Sequence, residues 1–332
     1  MRVLLTGVGG FIGSHVLSHI LKTTDWEVVG VASWTHKGTP ERIEEDENYQ
    51  ENKHRVTIIT HDLSAPFTEQ TKKRIGKVDY ILNIASDSHV DRSIEEPVPF
   101  IQNNVNLVLT MLELAREVKA KIFLQFSTDE VYGAAPLGHN HKEWEAILPS
   151  NPYSASKASQ EAIAVSYWRT YGVPVVITNT MNVFGERQDT EKFLAMCISN
   201  IDQGKEMTIH GNKDFIGSRY YIHARNVADA LLHILKAEPT AYSDGGADRP
   251  DRYNIVGEKE INNLEMAGMI ANIMEKPLKY ELVDFHAGRP GHDRRYALDG
   301  TKLKEAGWSA PVSTYESLKT YINWTLENKN WI

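Results

Sequence analysis

Short apolar runs in this chain alternate with longer stretches in which apolar residues return every three or four positions. The runs at 2–6, 27–31, 56–60, 80–84, 121–127 and 175–180 predict strands, and the helical periods over 11–21, 97–118 and 152–171 predict helices. Residues 34–54 are polar and charged and read as a surface loop or a short helix. Beyond residue 181 the pattern loosens: helices are predicted near 191–203, 224–237, 262–274 and 314–328, and 242–250 reads as an exposed loop. Strands that alternate with helices imply an α/β fold, a doubly wound parallel sheet covered on both faces. The loosening implies a smaller mixed α/β substrate domain over 181–332, after a first domain over 1–180 to which a later segment, about 220–256, returns.

The chain has 332 residues, room for one large or two smaller domains with a sizeable core. No apolar run approaches the ~18 residues that a membrane span needs. The N-terminal strand leads directly into a glycine-rich turn, so no signal peptide is expected. Cys197 stands alone, which excludes an internal disulfide and fits a reducing, cytoplasmic compartment. A net charge of −8 argues against nucleic acid as a partner but permits a phosphorylated small molecule at a locally basic site.

Gly7, Gly10 and Gly13 lie between the first strand and the first helix, with Phe11 and Ile12 opening that helix. Glycines at this spacing allow a tight turn, close approach of a pyrophosphate and close helix–strand packing, while the helix N-terminus favours the negative charge. The expectation is a Rossmann-type dinucleotide site; a plain tight turn is the alternative. The carboxylate that usually ends the second strand and bonds the adenosine ribose is replaced by Ala32, followed by Ser33. NAD is the expected cofactor, and NADP stays open because neither residue repels a 2′-phosphate and Lys37 is near in sequence. Asp62, followed by Leu63 after the third strand, is placed to meet the adenine, and Ala85 follows the fourth strand.

The chemistry concentrates after the fifth strand. Tyr153 and Lys157 stand one helical turn apart, the spacing by which an ammonium favours a phenolate that takes a hydroxyl proton as hydride leaves the same carbon. Thr128 can hydrogen-bond the same substrate oxygen. Asp129 and Glu130 end that strand, where open α/β sheets place ligands, and adjacent carboxylates with pKa values pushed apart supply one acid and one base. A turn or capping pair is the plainer reading of those carboxylates. His139 and His141 alternate as metal ligands do, but in a loop with no cysteine and no evident third ligand; a solvated loop, and no metal, is expected. His89 and Asp91 follow the fourth strand, close to the expected substrate. Trp308, Trp324 and Trp331 read as packing or interface residues.

Together these residues resemble the extended short-chain dehydrogenase/reductase family and, within it, the sugar-nucleotide 4,6-dehydratases. The resemblance spans nearly the whole chain through Thr6–Gly13, Ser88-His89-Val90-Asp91-Arg92-Ser93-Ile94, Thr128-Asp129-Glu130 and Arg289-Pro290-Gly291-His292-Asp293-Arg294-Arg295-Tyr296. It implies that Tyr153 is the base for oxidation at C4, with Lys157 supporting it and holding the nicotinamide ribose, and that Thr128 assists at O4. It implies that Asp129 protonates the departing C6 hydroxyl and that Glu130 removes the C5 proton. It also implies substrate contacts at Ser88, His89, Asn182, Glu191, Lys192, Arg219, Asn254, Arg289 and His292. The implied substrate is a nucleotide-diphosphate hexose, dTDP-glucose or a relative; the implied cofactor is tightly held, and the implied assembly is a homodimer through helices 97–118 and 152–171. Arg187, Lys192, Arg219 and Arg289 are candidate partners of the diphosphate, since Arg can bind phosphate bidentately. The family's Asn-Tyr-Gly-Pro is replaced by Val183-Phe184-Gly185-Glu186, and the Arg-Asp-Trp segment by 218–226. An epimerase or a uronate decarboxylase on the same scaffold is the nearest alternative, without need of the Asp–Glu pair; a noncatalytic dinucleotide sensor is the remote one.

Overall fold

The computed structural model describes residues 1–35, 37–239, 242–244, 247–284 and 293–332. Its centre is a seven-stranded parallel sheet in the spatial order Asp251–Ile255, Val175–Thr180, Ile122–Thr128, Tyr80–Asn83, Arg2–Thr6, Glu27–Ala32, Val56–Thr60. The strand order reverses between Arg2–Thr6 and Tyr80–Asn83, which opens a crevice at the carboxyl ends of the strands. Helices Phe11–Thr23 and Ala224–Ala237 cover one face over Val3, Leu5, Val16 and Leu231; helices Pro97–Val118 and Pro152–Tyr171 cover the other over Leu4, Ile81, Met111 and Phe123. All seven residues of Ile122–Thr128 are buried, as expected of a strand covered on both sides.

The seventh strand, Asp251–Ile255, is the main element that the apolar pattern missed. Its sequence, Asp-Arg-Tyr-Asn-Ile, looks polar, yet every residue is buried. The charges and the Asn254 amide N–H groups have built partners: Arg252 pairs with Glu161, Asp251 with Lys302, and Asn254 Nδ2 donates to the carbonyls of His141 and Asp299. Such pairing offsets the cost of burying charge and amide. The expected loop at 242–250 contains two short antiparallel strands, Tyr242–Asp244 and Ala247–Arg249.

The polar stretch 34–54 forms helices Glu41–Glu44 and Glu47–Asn52, and it is not merely surface. Arg42 is fully buried, donating Nε to the Arg187 carbonyl at 3.0 Å and Nη2 to Asp189 at 2.9 Å, so this insertion is tied to the loop that precedes helix Phe193–Asp202. A smaller mixed sheet joins Asn182–Phe184, Ser218–His223 and Glu260–Asn262, and beneath it lies a separate core of Leu194, Ile198, Met266, Ile270 and Leu318. Among the described residues no helix is long and apolar enough to cross a membrane.

Candidate active site

A cleft of about 1010 Å³ opens at the crevice and is lined from both sides of the strand-order reversal. At one end is the glycine turn. Gly7 has φ +69°, and a Cβ there would lie 3.0 Å from the Ala85 backbone; a Cβ on Gly13 would lie 2.0 Å from the Gly7 carbonyl oxygen. Only glycine lets this turn close onto the sheet. Helix Phe11–Thr23 begins at Gly10 with no side-chain cap, which leaves its first N–H groups for an anion. The turn therefore fits a dinucleotide pyrophosphate, and Phe11, Ile12, Ser33, Asp62, Leu63 and Ala85 line the same cleft.

Around the ribose position the chain departs from the usual carboxylate in a structured way. Ala32 is buried, and the hydroxyls of Ser33 and Thr35 are hydrogen-bonded at 2.7 Å. Trp34, left-handed at φ +56°, lies against Gly9 and donates its indole N–H to Thr60 at 2.9 Å. Asp62 accepts from the Ser64 backbone N–H, which holds its carboxyl below the ordinary range.

The catalytic candidates all line the cleft. Thr128 ends its strand and accepts from the Glu130 N–H, starting the turn Asp129–Tyr132; Gly133, at φ +73°, closes it. This turn aims Asp129 and Glu130 at the helix that carries Tyr153 and Lys157. Helix Pro152–Tyr171 starts with Pro152 and a reciprocal capping box between Asn151 and Ser154. Asn151 also reaches the acid–base pair, where its Nδ2 donates to Glu130 Oε2 at 3.3 Å.

Burial, then the neighbouring Glu130 charge, pushes the Asp129 carboxyl up to about 7. Its Oδ1 accepts from Thr128 at 2.9 Å, whereas Oδ2 is buried without a partner. A protonated carboxyl with one oxygen free is equipped as an acid. Lys157 does not lower the Tyr153 phenol as the spacing suggests. Its ammonium, brought down to about 7 by burial, donates to the Phe126 carbonyl at 2.8 Å and to Gln160 at 2.7 Å. Burial and the Glu130 charge push the phenol up instead, and the Thr128 hydroxyl only partly opposes them. Spacing along the chain predicts the shared helix face but not the direction of the ammonium. Gln160 belongs to a buried amide chain that runs through Gln125 and Asn83 to Thr6 under the glycine turn, a connection invisible to motif reading.

Ser88, His89, Asn182, Glu191 and Lys192 line the same cleft. His89 caps helix Val90–Glu95 through Nδ1 and faces Glu191 through Nε2 at 3.3 Å; Lys37 reaches the other Glu191 oxygen at 2.8 Å. Lys192 begins helix Phe193–Asp202. Arg219 lies just beyond the lining, its guanidinium 4.6 Å above the Tyr296 ring.

Some expected contacts fall elsewhere. Asn254 is fully buried in the seventh strand and joins two loops rather than the cleft. Arg187 is buried against Asp46 at 3.1 Å, serving the insertion instead of a phosphate. Arg289 and His292 lie outside the described residues. The His139–His141 loop does have a third potential ligand: Glu145 Oε2 lies 2.8 Å from both imidazoles. The carboxylate accepts from the rings and from the Lys142 N–H, which ties the loop together, and the three side chains also lie within the spacing of a metal site. Motif reading assigns no role to Tyr296 or Asn151, both of which donate to Glu130. The signal for Asn151 was present in the Asn-x-x-Ser capping pattern before Tyr153.

A family model described as GDP-mannose 4,6 dehydratase matches residues 4–321. The dTDP-glucose 4,6-dehydratase of Salmonella typhimurium is 34% identical, the match covering 100% of this chain and 94% of that protein. Among solved structures, the dTDP-glucose 4,6-dehydratase of Streptomyces venezuelae, determined with NAD bound, superposes with a TM-score of 0.85 at 29% identity, covering 100% of this chain and 98% of that one. A UDP-N-acetylglucosamine 4-epimerase from Methanobrevibacter ruminantium superposes with a TM-score of 0.83 at 26% identity, covering 98% of each chain.

Proposed function

We propose, from the premise that this chain belongs to the sugar-nucleotide 4,6-dehydratases of the extended short-chain dehydrogenase/reductase family, that its substrate is dTDP-glucose or a closely related nucleotide-diphosphate hexose, which it converts to the 4-keto-6-deoxy sugar. The observation that carries this reading is the meeting of two chemistries in one cleft: Tyr153 with Lys157, and a buried, protonatable Asp129 beside Glu130. Epimerisation at C4 needs the first pair and not the second.

The glycine turn, with Phe11, Ile12, Ser33, Asp62 and Leu63 beside it, would hold NAD, which would supply a reversible hydride acceptor for oxidation at C4 and reduction at C6. Tyr153 takes the proton of the C4 hydroxyl in its ionised form, which the positive charge of a bound nicotinamide would favour against the burial that raises the free phenol, and Thr128 holds that oxygen. The C4 ketone acidifies the C5 hydrogen. Glu130 removes that proton while Asp129 delivers its own to the departing C6 hydroxyl, and water leaves; the proton held by Glu130 returns to C5 as C6 is reduced. Burial suits Asp129 to this role by keeping it protonated near neutral pH. His89, Glu191 and Lys192 orient the hexose and its diphosphate, with Arg219 as a further phosphate contact. Because hydride leaves and returns within one turnover, the cofactor stays bound throughout. We assign residues 1–180, with the returning strand, to cofactor binding and most of 181–332 to the sugar nucleotide. A homodimer through helices Pro97–Val118 and Pro152–Tyr171 completes the reading; Val98, 62% exposed on the first of these, fits a partnered face.

Mass spectrometry of the purified protein with dTDP-, UDP-, CDP- and GDP-hexoses and UDP-glucuronate tests the proposal. Loss of one water without added cofactor supports it and identifies the base. Loss of carbon dioxide, or an unchanged mass with inverted C4, overturns it.

A further inference from the structure

Tyr296 stands where two parts of the site meet. It is 5% exposed, and its hydroxyl donates to Glu130 Oε2 at 3.4 Å. The same carboxylate oxygen accepts from Asn151 Nδ2 at 3.3 Å. On the face of the ring lies the Arg219 guanidinium, 4.6 Å from the centroid. Arg219 is fixed in turn by the carbonyls of Ser218, Asp293 and Arg294 at 2.7, 2.8 and 2.8 Å. The Asp293 N–H donates to the Tyr296 hydroxyl at 3.4 Å, so the segment before Tyr296 closes back on both residues. Burial, followed by the Glu130 and Asp293 charges, pushes the phenol up, so it remains a donor throughout the working range.

We infer that Tyr296 is a positioning residue that couples Arg219, on the diphosphate side, to Glu130, the carboxylate that removes the C5 proton. This rests on the proposed function, which gives those two residues their roles. A hydroxyl and an amide that donate to one oxygen of Glu130 fix the direction of the other. The ring between Arg219 and Glu130 passes any restraint on the guanidinium to the carboxylate. Binding energy from the diphosphate, remote from the reacting carbons, is thereby spent on orienting the base. Oxidation at C4 draws on Tyr153 and Lys157 and does not require this contact.

Tyr296→Phe keeps the ring and the stacking and removes only the hydroxyl. With a nucleotide-diphosphate hexose that the wild type dehydrates, formation of reduced nicotinamide in a single turnover should stay within about twofold of wild type. Solvent-deuterium entry at C5 should slow by about tenfold or more, the scale of a lost hydrogen bond to a charged group. A donor stabilises the charged carboxylate, so its removal raises the pKa of Glu130 and moves the acidic limb of the kcat profile to higher pH. Arg219→Gln should slow C5 exchange even at saturating substrate. Unchanged C5 exchange in Tyr296→Phe, or equal slowing of oxidation and exchange, would overturn the inference. A carbon-13 NMR titration of the Glu130 carboxyl needs no turnover and should move upward in Tyr296→Phe; an unmoved titration also overturns it. A wild type that dehydrates no sugar nucleotide defeats the proposed function instead, and the titration still judges the contact.

Discussion

Asp129 is the residue whose surroundings most change its chemistry. An ordinary aspartate is ionised at neutral pH; this one, buried and beside Glu130, holds its proton up to about 7. As the acid, it acts in the protonated form, so water loss should be full below pH 7 and fall as pH rises through 7, by about tenfold per unit beyond it. Asp129→Asn should slow elimination by about 10²–10⁴-fold while C4 oxidation, followed by the reduced-nicotinamide signal, changes little. Equal losses in both steps would remove Asp129 from its place. Ala32 invites a second change. Ala32→Asp restores a carboxylate at the adenosine ribose, which should strengthen NAD and weaken NADP binding, shifting the ratio of their Kd values by about tenfold or more. Fluorescence titration of the two cofactors reads that ratio, and a constant ratio refutes the placement of Ala32. The five residues proposed for catalysis were legible in the sequence because their spacings are local. The direction of the Lys157 ammonium was not, since Phe126 and Gln160 claim it only after strand and helix pack.

At the scale of elements, one cap serves two ends. Asn151 begins the helix of Tyr153 and also holds Glu130, so stability and chemistry separate by substitution. Asn151→Ala removes both contacts and should cost about 1 kcal/mol in a urea melt, besides slowing C5 exchange. Asn151→Asp keeps a capping oxygen but sets a second carboxylate against Glu130. It should retain near-wild-type stability and lose C5 exchange, whereas an active Asn151→Asp would mean that the contact with Glu130 is incidental. The helix itself was readable, down to its bounds at 152–171, because a strong cap and Pro152 mark its start and Gly172, left-handed at φ +67°, marks its end. The first six strands were readable from their apolar runs. Asp251–Ile255 was not, because its burial depends on partners up to 120 positions away in sequence.

The whole molecule is held together at that seventh strand. Glu161, on the helix Pro152–Tyr171, meets Arg252 at 2.7 Å with both side chains 1% exposed, and Asn179 and Tyr132 complete the pairing. Removing one member of a buried pair strands the other, so Glu161→Ala should cost about 3–5 kcal/mol of unfolding free energy, measured by denaturant titration. A loss below about 1 kcal/mol would show that water or a neighbour replaces the carboxylate there. Arg252 also ties the last strand of the sheet to the turn after Asp129 through the Tyr132 hydroxyl, so the order of strands and the aim of the acid are set together. The sequence by itself determined the alternating strands and helices, the glycine turn and the residue types of the acid–base site, because each follows from periodicity or from spacings within a turn or two. Only the tertiary structure decided the seventh strand, the burial that keeps Asp129 protonated, the diversion of Lys157 and Arg187, and the meeting of Tyr296 with Glu130. These depend on desolvation and on partners far apart in the chain, which exist only once the sheet has closed.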